Sequence, residues 1–276
     1  MTAIALALCV SVSWGVGDFL GGVSSRRLPT LTVLAVSQPV GLVGLVALAL
    51  AVGDEPLGAG GVAAAAAAGA GGALGLAGLY RGMAVGAMGV VAPISTLAAV
   101  LPLVVGLARG ERPGALQLTG AVLILAGVAL VSREPGTGGA RVAAGVGLAL
   151  VAATGFGLYF VFIDVAADES ASWAVVAARA TASALCLGTA AARGGVSVPS
   201  RAVPALALIG FFDASANALL AVALTRGYVS LVSVLASLYP VVTVLLARTV
   251  LGERVARTQA VGIAGAVGGV ALVSAG

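Results

Sequence analysis

The chain has no histidine, no lysine and only two cysteines among its 276 residues. Both cysteines, Cys9 and Cys186, stand inside apolar runs. The sequence therefore offers no cluster of histidines and thiols for a metal ion and no Ser-His arrangement for nucleophilic catalysis. It also has no Walker-type phosphate loop, which argues against a pump driven by ATP. These absences predict a protein that is not an enzyme and that holds neither a metal nor a cofactor.

Charged side chains are scarce as well. Only 9% of the residues are charged and 61% are hydrophobic, with a mean hydropathy of +1.17, whereas a soluble domain has about 25% charged residues. The apolar residues form blocks of about 20, the length that crosses the hydrocarbon core of a bilayer as a helix. The sequence predicts an all-α, multi-pass protein of the lipid bilayer. Nearly all 14 basic residues stand at the ends of these blocks, which argues against nucleic acid as a partner.

Ten candidate spans lie between the charged or Pro- and Gly-rich breaks. The first is not a cleaved signal peptide by its sequence, because it lacks a basic n-region and an Ala-x-Ala site before a polar segment. The predicted spans are Ala3–Val23, Leu31–Val52, Gly60–Tyr80, Met88–Ala108, Ala115–Ser132, Val142–Ile163, Ser172–Ala192, Val203–Leu224, Val229–Arg248 and Thr258–Ala275.

The sequence also repeats itself in register. "GVALVS" occurs at 127–132 and 269–274, and "GER" occurs at 110–112 and 252–254. These matches predict two homologous halves, residues 1–133 and 140–276, joined by a polar linker. Each half has five predicted spans, so the second half enters the membrane from the opposite side. The halves are therefore predicted to be inverted repeats, an arrangement that recurs in secondary transporters.

A known family shows the same features. The "WG" in the first span, the "LGER" turn, the following "QxxGxxxxxxGVALVS" helix and the two-times-five plan resemble EamA-type transporters of the drug/metabolite transporter superfamily. The resemblance covers nearly the whole chain. It implies a ten-helix exporter or exchanger of small organic solutes in the cytoplasmic membrane, with a central cavity lined by both halves. The sequence does not decide whether the protein forms a homodimer. The alternative functions are a passive channel or facilitator, a non-transport scaffold and a membrane enzyme acting on lipid.

Asp18 interrupts the apolar first span in "SWGVGDFLGG". It precedes Arg26 by eight residues, which places it about 12 Å deeper along a helix. A carboxylate exposed to lipid there would cost about 2.5 to 3.5 kcal/mol, so we expect Asp18 to face a polar cavity. An acid that gains and loses a proton there can couple transport to a proton gradient. The alternative is a helix that ends at Gly21 and Gly22 and lets Asp18 reach the headgroups.

Four more polar residues stand inside predicted spans. Asp213 lies near the centre of the eighth span, and Asn217 follows at i+4 on the same helix face. The two predict a polar stripe along a cavity, with a helix-packing hydrogen bond as the alternative. Arg179 stands within the seventh span, and Gln38 is the equivalent position of the first half. Arg179 is expected to pair with Asp18 or Asp213, to bind an anion, or to snorkel to the interface.

The aromatic residues near polar positions fall into two groups. Trp14 and Tyr159 stand inside their spans, and we expect them to stack on the apolar part of a substrate. Tyr80 and Tyr228 stand close to arginines at span ends, which predicts an interfacial aromatic belt.

Prolines and glutamates mark other positions. Pro93, Pro102 and Pro240 interrupt the fourth and ninth spans, and they are predicted to bend a gate or line a cavity, with a kink in a packed bundle as the alternative. Glu111 and Glu253 are predicted to lie in tight turns, where they pair with neighbouring arginines or cap helices.

The arginines are unequally distributed between the two faces. Ten of the 14 follow odd-numbered spans, three lie on the opposite side and Arg179 lies within a span. By the positive-inside rule both termini would be outside the cytoplasm, whereas the family resemblance implies that both are inside. Ten spans place the two termini on one face in either case.

Overall fold

The computed structural model describes residues 2–85, 95–131, 139–251 and 257–276. Regular structure within these residues is helical, which confirms the predicted all-α class. The helices are α1 (Thr2–Ser25), α2 (Thr30–Val52), α3 (Ala59–Val85), α4 (Val100–Ala108), α5 (Ala115–Val131), α6 (Gly139–Ala167), α7 (Ala171–Ala192), α8 (Val203–Leu224), α9 (Val229–Ala236), α10 (Tyr239–Leu251) and α11 (Arg257–Ala275). Short 3-10 turns, Thr96–Ala99 and Ser200–Ala202, precede α4 and α8.

Six helical segments are each long and apolar enough to cross a membrane. They are Thr2–Ser25, Thr30–Val52, Ala59–Gly82, Gly147–Ala167, Ala171–Ala192 and Ser200–Leu224. They correspond to the first, second, third, sixth, seventh and eighth predicted spans, and they confirm a multi-pass membrane protein. The other apolar helices are shorter, so the count of ten stays a prediction.

The outer surface of the bundle is apolar. Val43 is 72% exposed and Leu50 is 68% exposed, and neither has a polar neighbour on its side of α2 that would form a wet face. A helix that is hydrophobic all round fits a bilayer, where lipid covers the side chains that the bundle does not. Polar side chains are instead directed inwards, which places the candidate site.

The ninth predicted span is broken. The interruption that Pro240 predicts lies between Ala236, where α9 ends, and Tyr239, where α10 begins. Pro240 is the second residue of α10, in the first helical turn, where a missing N–H removes no intrahelical hydrogen bond. It therefore starts a helical segment. Pro102 is the third residue of α4, which follows directly on the 3-10 turn Thr96–Ala99. Pro93 lies outside the described residues.

The helix contacts recur when the halves are exchanged. Helix α1 packs on α8 as α3 packs on α6, and α2 packs on α8 as α3 packs on α7. Helices α5 and α11, the last of each half, also pack together. Their backbones meet at Gly120 and Gly269, where a Cβ on either residue would lie 2.6 Å from the carbonyl oxygen of the other. Small residues thus allow close contact between these helices.

Candidate functional site

A cavity lies between the halves. Side chains of α1, α2, α3, α6, α7 and α8 and of the α9–α10 break form its wall. The space open to the centre of a water molecule is about 70 Å³, several times the ~10–15 Å³ that one water needs. All seven residues predicted for the substrate and proton pathway lie on this wall: Trp14, Asp18, Gln38, Tyr159, Arg179, Asp213 and Asn217. Their functional role stays a prediction.

Arg179 of α7 is the positive charge of this wall. Its side chain is buried and forms an ion pair with Asp213 of α8. The same nitrogen, Nη1, donates a hydrogen bond of 2.6 Å to Oε1 of Gln38 on α2. The sequence allows Arg179 to form a buried pair or to extend to the membrane interface. The structure shows the buried pair, with Asp213. The second nitrogen, Nη2, is buried with no hydrogen-bond partner among the described residues, which leaves a donor for an acceptor in the cavity.

Asp213 accepts hydrogen bonds from three side chains. Besides Arg179, Nε1 of Trp14 donates to its Oδ1 over 3.1 Å, and Nδ2 of Asn217 donates to the same oxygen over 3.3 Å. Asn217 in turn accepts a bond of 2.6 Å from the hydroxyl of Tyr159. Asp213 and Asn217, four residues apart on one helix face, therefore form a polar stripe along the cavity and also a hydrogen bond within α8. The two alternatives predicted from the sequence occur together. The network fixes α1, α6, α7 and α8 around one carboxylate.

Asp18 is placed differently from Asp213. Its one side-chain partner in the described part of the chain is the hydroxyl of Tyr80, which donates over 3.5 Å, and no described arginine forms an ion pair with it. Asp213 is near enough to interact electrostatically with Asp18. Two acids thus face one arginine, so the cavity carries one negative charge that no described side chain neutralises when both acids are ionised.

Tyr80 corrects one sequence prediction. It was assigned to an interfacial belt, but its side chain is buried beside Asp18. Helix α3 continues past Tyr80 to Val85, which moves Tyr80 away from the helix end and into the bundle. At Gly21 of α1 a Cβ would overlap the hydroxyl and ring of Tyr80, so the absence of a side chain makes room for the phenol. Tyr228 is 44% exposed, as a belt position would be.

An aromatic wall completes the cavity. Trp14 makes edge-to-face contacts with Phe160, at 5.8 Å between ring centroids, and with Tyr239, at 6.5 Å. The hydroxyls of Tyr239 and Ser95 lie 3.3 Å apart. Apart from Trp14, sequence reasoning did not assign these residues to the site. Tyr239 was recognisable as an amphipathic aromatic beside Pro240, but nothing in the sequence placed Phe160 or Ser95 at a cavity.

The remaining chemistry of the site is that of binding. Within the described residues, no three histidine, cysteine, aspartate or glutamate side chains come together as a metal-ligand set. The wall instead offers aromatic faces, the carboxylate of Asp18, which has no described ion-pair partner, and a guanidinium nitrogen of Arg179 with no described hydrogen-bond partner. Charged groups, hydrogen-bond donors and aromatic faces of this kind are typical of sites for small organic ligands.

The comparison with known proteins agrees with this architecture. The model of the EamA-like transporter family matches residues 1–133 and 143–275. The chain belongs to the EamA-like transporter family. This membership places it in the drug/metabolite transporter superfamily, whose members are membrane transporters and not enzymes.

One solved crystal structure supports the fold of this EamA-like transporter. It shares 20% sequence identity, covers 99% of this chain and 96% of its own, and superposes with a TM-score of 0.79. At that identity the likeness shows a common fold alone. No curated protein matches the chain.

Proposed function

We propose that the protein is a secondary transporter of small organic metabolites or drug-like solutes in the cytoplasmic membrane. It exports or exchanges them by alternating access, and protons are the candidate coupling ion. Residues 1–133 and 140–276 are the two inverted repeats of five helices that move against each other. The observation that carries the proposal is one cavity between the halves whose wall contains the carboxylate of Asp18, which has no ion-pair partner among the described residues.

The position of the cavity supports alternating access. Its wall takes Trp14 and Gln38 from the first half and Tyr159, Arg179 and Asp213 from the second. The helix contacts between the halves recur with the halves exchanged, as expected for repeats that have two related packings. Movement of one half against the other would change the access to such a site without dismantling either half.

The charge of the cavity supports a role for Asp18 in coupling. Asp213 is neutralised by Arg179 and has further donors in Trp14 and Asn217. In the described part of the chain Asp18 has the hydroxyl of Tyr80 as its one side-chain partner, and it lies on the wall of the cavity. A proton or the cationic group of a solute can therefore occupy Asp18 in turn, and this competition is what exchange of a proton for a solute requires.

The shape of the wall limits the solute. Trp14, Phe156, Phe160 and Tyr239 offer apolar and aromatic surface, and Nη2 of Arg179 offers a donor. We expect a compact solute with an apolar or aromatic part. A space of about 70 Å³ is small for a drug-sized molecule, for which sites are about 300–1,000 Å³, so a solute of that size requires the halves to separate first.

The test is transport in liposomes that contain a pH-sensitive dye. Purified wild type is compared with Asp18→Asn and with Glu55→Gln, an exposed acid outside the cavity, on panels of amino acids, metabolites and organic cations. We expect solute-dependent proton flux in wild type and Glu55→Gln, and its loss in Asp18→Asn. Equal proton flux in all three would make the proton-coupling role of Asp18 wrong. Solute flux in wild type without proton movement would favour a facilitator.

A further inference from the structure

Polar contacts join the two halves at one end of the bundle. Here the connections α2–α3, α4–α5, α6–α7 and α8–α9 meet. Nη1 of Arg109 pairs with Oδ2 of Asp164 over 3.0 Å, and the hydroxyl of Ser172 donates to Oδ2 of Asp54 over 2.7 Å. Oε2 of Glu169 accepts the N–H of Gly58 over 3.0 Å. Each contact links residues that belong to different halves.

Glu111 makes the most elaborate of these contacts. Its Oε1 accepts the backbone N–H of Val229 over 2.8 Å, and its Oε2 accepts that of Ser230 over 3.2 Å. These are the first two N–H groups of α9, which have no partner inside that helix. Tyr228, the residue before α9, makes no side-chain cap. A carboxylate from the first half therefore caps a helix of the second half, at the end where the helix dipole favours negative charge.

The α4–α5 connection is shaped to present this carboxylate. Gly110 has φ +95°, a conformation that residues with a Cβ avoid, and it reverses the chain after α4. The N–H of Glu111 then donates to the carbonyl of Gly106 over 3.0 Å. A Cβ on Gly106 would overlap the Glu111 carboxylate. Two glycines thus bring Glu111 back over the last turn of α4 towards α9.

Helix α9 connects this cap to the cavity. It has eight residues and is about 12 Å long. Its last residue, Ala236, is followed by Ser237, and Ser237 and Tyr239 lie on the cavity wall. A displacement of the first turn of α9 is therefore transmitted by one rigid segment to the aromatic wall that contains Tyr239 and Trp14.

We infer that Glu111 is a latch that closes this end of the cavity. With Glu111 bound to α9 the halves are held together here, and its release lets α9 swing away and opens the cavity to the face of the membrane that carries residues 109–114. The ion pair between Arg109 and Asp164 supports the same closure. Arg109 lies close to Glu111 at the end of α4, and Asp164 lies in α6 of the second half. The inference rests on the proposed alternating access, and it adds the residue that controls one of the two openings.

Thiol labelling tests the latch without any substrate. In a background with Cys9→Ala and Cys186→Ala, Ser237→Cys reports access to the cavity, and Glu55→Cys, tested separately, identifies the membrane face of the latch. A membrane-impermeant maleimide is added from that face in liposomes. We expect the maleimide to react with the cysteine of Ser237→Cys about tenfold faster when Glu111→Gln is also present. Losing a hydrogen bond to a charged group shifts the equilibrium between the closed and open states by about that factor. Glu55→Gln is the matched control and is expected to change nothing.

A second variant removes the donor instead of the acceptor. Val229→Pro deletes one N–H at the first position of α9, where proline is tolerated, and Tyr228 already has a ψ of 132°, in the extended range that a residue before proline prefers. It is expected to accelerate labelling as Glu111→Gln does. Because both changes break the same contact, the variant that carries both should be labelled at about the rate of the faster single variant.

The results separate the latch from the proposed function. Unchanged labelling in both Glu111→Gln and Val229→Pro, in protein whose melting temperature is unaltered, would overturn the latch even if solutes are transported. Faster labelling in these variants would support it even if no solute in the panels moves. Additive effects of the two changes would show that Glu111 acts elsewhere, which also contradicts the latch.

Discussion

The two carboxylates of the cavity differ in how many donors they accept from, so the same substitution should affect them differently. Asp213→Asn leaves the guanidinium of Arg179, buried to 4% side-chain exposure, without its ion-pair partner. Removing one partner of a buried pair costs about 3–5 kcal/mol. We expect Asp213→Asn to lower the melting temperature strongly, and Asp18→Asn to change it little, because Asp18 loses only a long bond from Tyr80. Tryptophan fluorescence during heating in detergent measures both.

The double variant Arg179→Gln with Asp213→Asn is the control for charge. It removes both members of the pair and leaves no unpaired charge, so it should recover part of the stability that Asp213→Asn loses. A double variant that is less stable than Asp213→Asn alone would contradict the explanation by an unpaired buried charge. It would mean that the other contacts of Arg179 contribute more to stability than the neutralisation of its charge does.

The contact between Gly21 and Tyr80 gives a second prediction for single residues. A methyl group at Gly21 would overlap the ring of Tyr80, whereas a Cβ at the neighbouring Gly22 meets nothing within 4 Å. Gly21→Ala is expected to displace Tyr80 from Asp18, to destabilise the protein by about 1–3 kcal/mol and to reduce transport. Gly22→Ala is expected to keep activity. Melting curves and liposome flux, measured side by side, compare the two; equal loss in both would refute the specific contact.

The sequence identifies charged site residues better than uncharged ones. Asp18, Asp213 and Arg179 stand out because a charge in an apolar span requires an explanation. Tyr80 was missed because its neighbour Arg81 is a typical marker of a span end, while the actual end of α3 lies further on. Phe160 looks like any other apolar residue of its span. The repeat related Gln38 to Arg179, but only the packing of α2 on α7 shows that the two side chains are hydrogen-bonded.

Helices α3 and α6 form a broad interface between the halves, and both contribute to the cavity wall. Gly155 of α6 lies against α3 so closely that a Cβ would be 2.6 Å from the carbonyl oxygen of Gly71 and from the nitrogen of Gly75. Gly155→Ala should therefore push the helices apart and destabilise the protein by about 1–3 kcal/mol. It should also slow transport, because Phe156 and Tyr159 of the same helix line the cavity.

Gly147→Ala on the same helix is the matched control. A Cβ there meets nothing within 4 Å, so the gain in helix propensity should leave stability unchanged or raise it by up to about 1 kcal/mol. Melting temperature and solute flux are measured for both variants. A Gly155→Ala protein as stable as Gly147→Ala would show that α3 and α6 can separate at this point without cost, contrary to their packing.

The elements themselves were predictable where hydropathy alone decides them. The eighth span was predicted with the bounds that α8 has, because charged and turn residues flank a run that is apolar apart from a few polar residues such as Asp213 and Asn217. The ninth span consists of two helices, α9 and α10. Pro240 indicated an interruption there, but the turn at Ser237 and Leu238 has no comparable sequence signal, and α9 is capped by Glu111 from the other half, a contact that a local pattern cannot reveal.

For the whole molecule, the ten-span plan predicts which connections share a membrane face. Arg112 follows the fourth predicted span, and it should lie on the same face as Glu55 and Arg226, with Arg201 on the opposite face. Six spans alone would place Arg112 opposite Glu55, so this pair tests whether α4 and the residues before it cross the membrane. All four positions are exposed, which makes cysteines there accessible to a membrane-impermeant maleimide in intact cells and in inverted vesicles.

The same labelling decides the orientation. On the ten-span plan, ten of the 14 arginines stand in connections on the face of Arg201, and the positive-inside rule predicts that this face is cytoplasmic. Arg201→Cys labelled only in inverted vesicles would confirm that bias and place both termini outside the cytoplasm. Labelling of Arg201→Cys in intact cells would instead place the termini in the cytoplasm, as the family resemblance implies. Labelling of Arg112→Cys and Glu55→Cys from different sides would contradict the ten-span plan in either orientation.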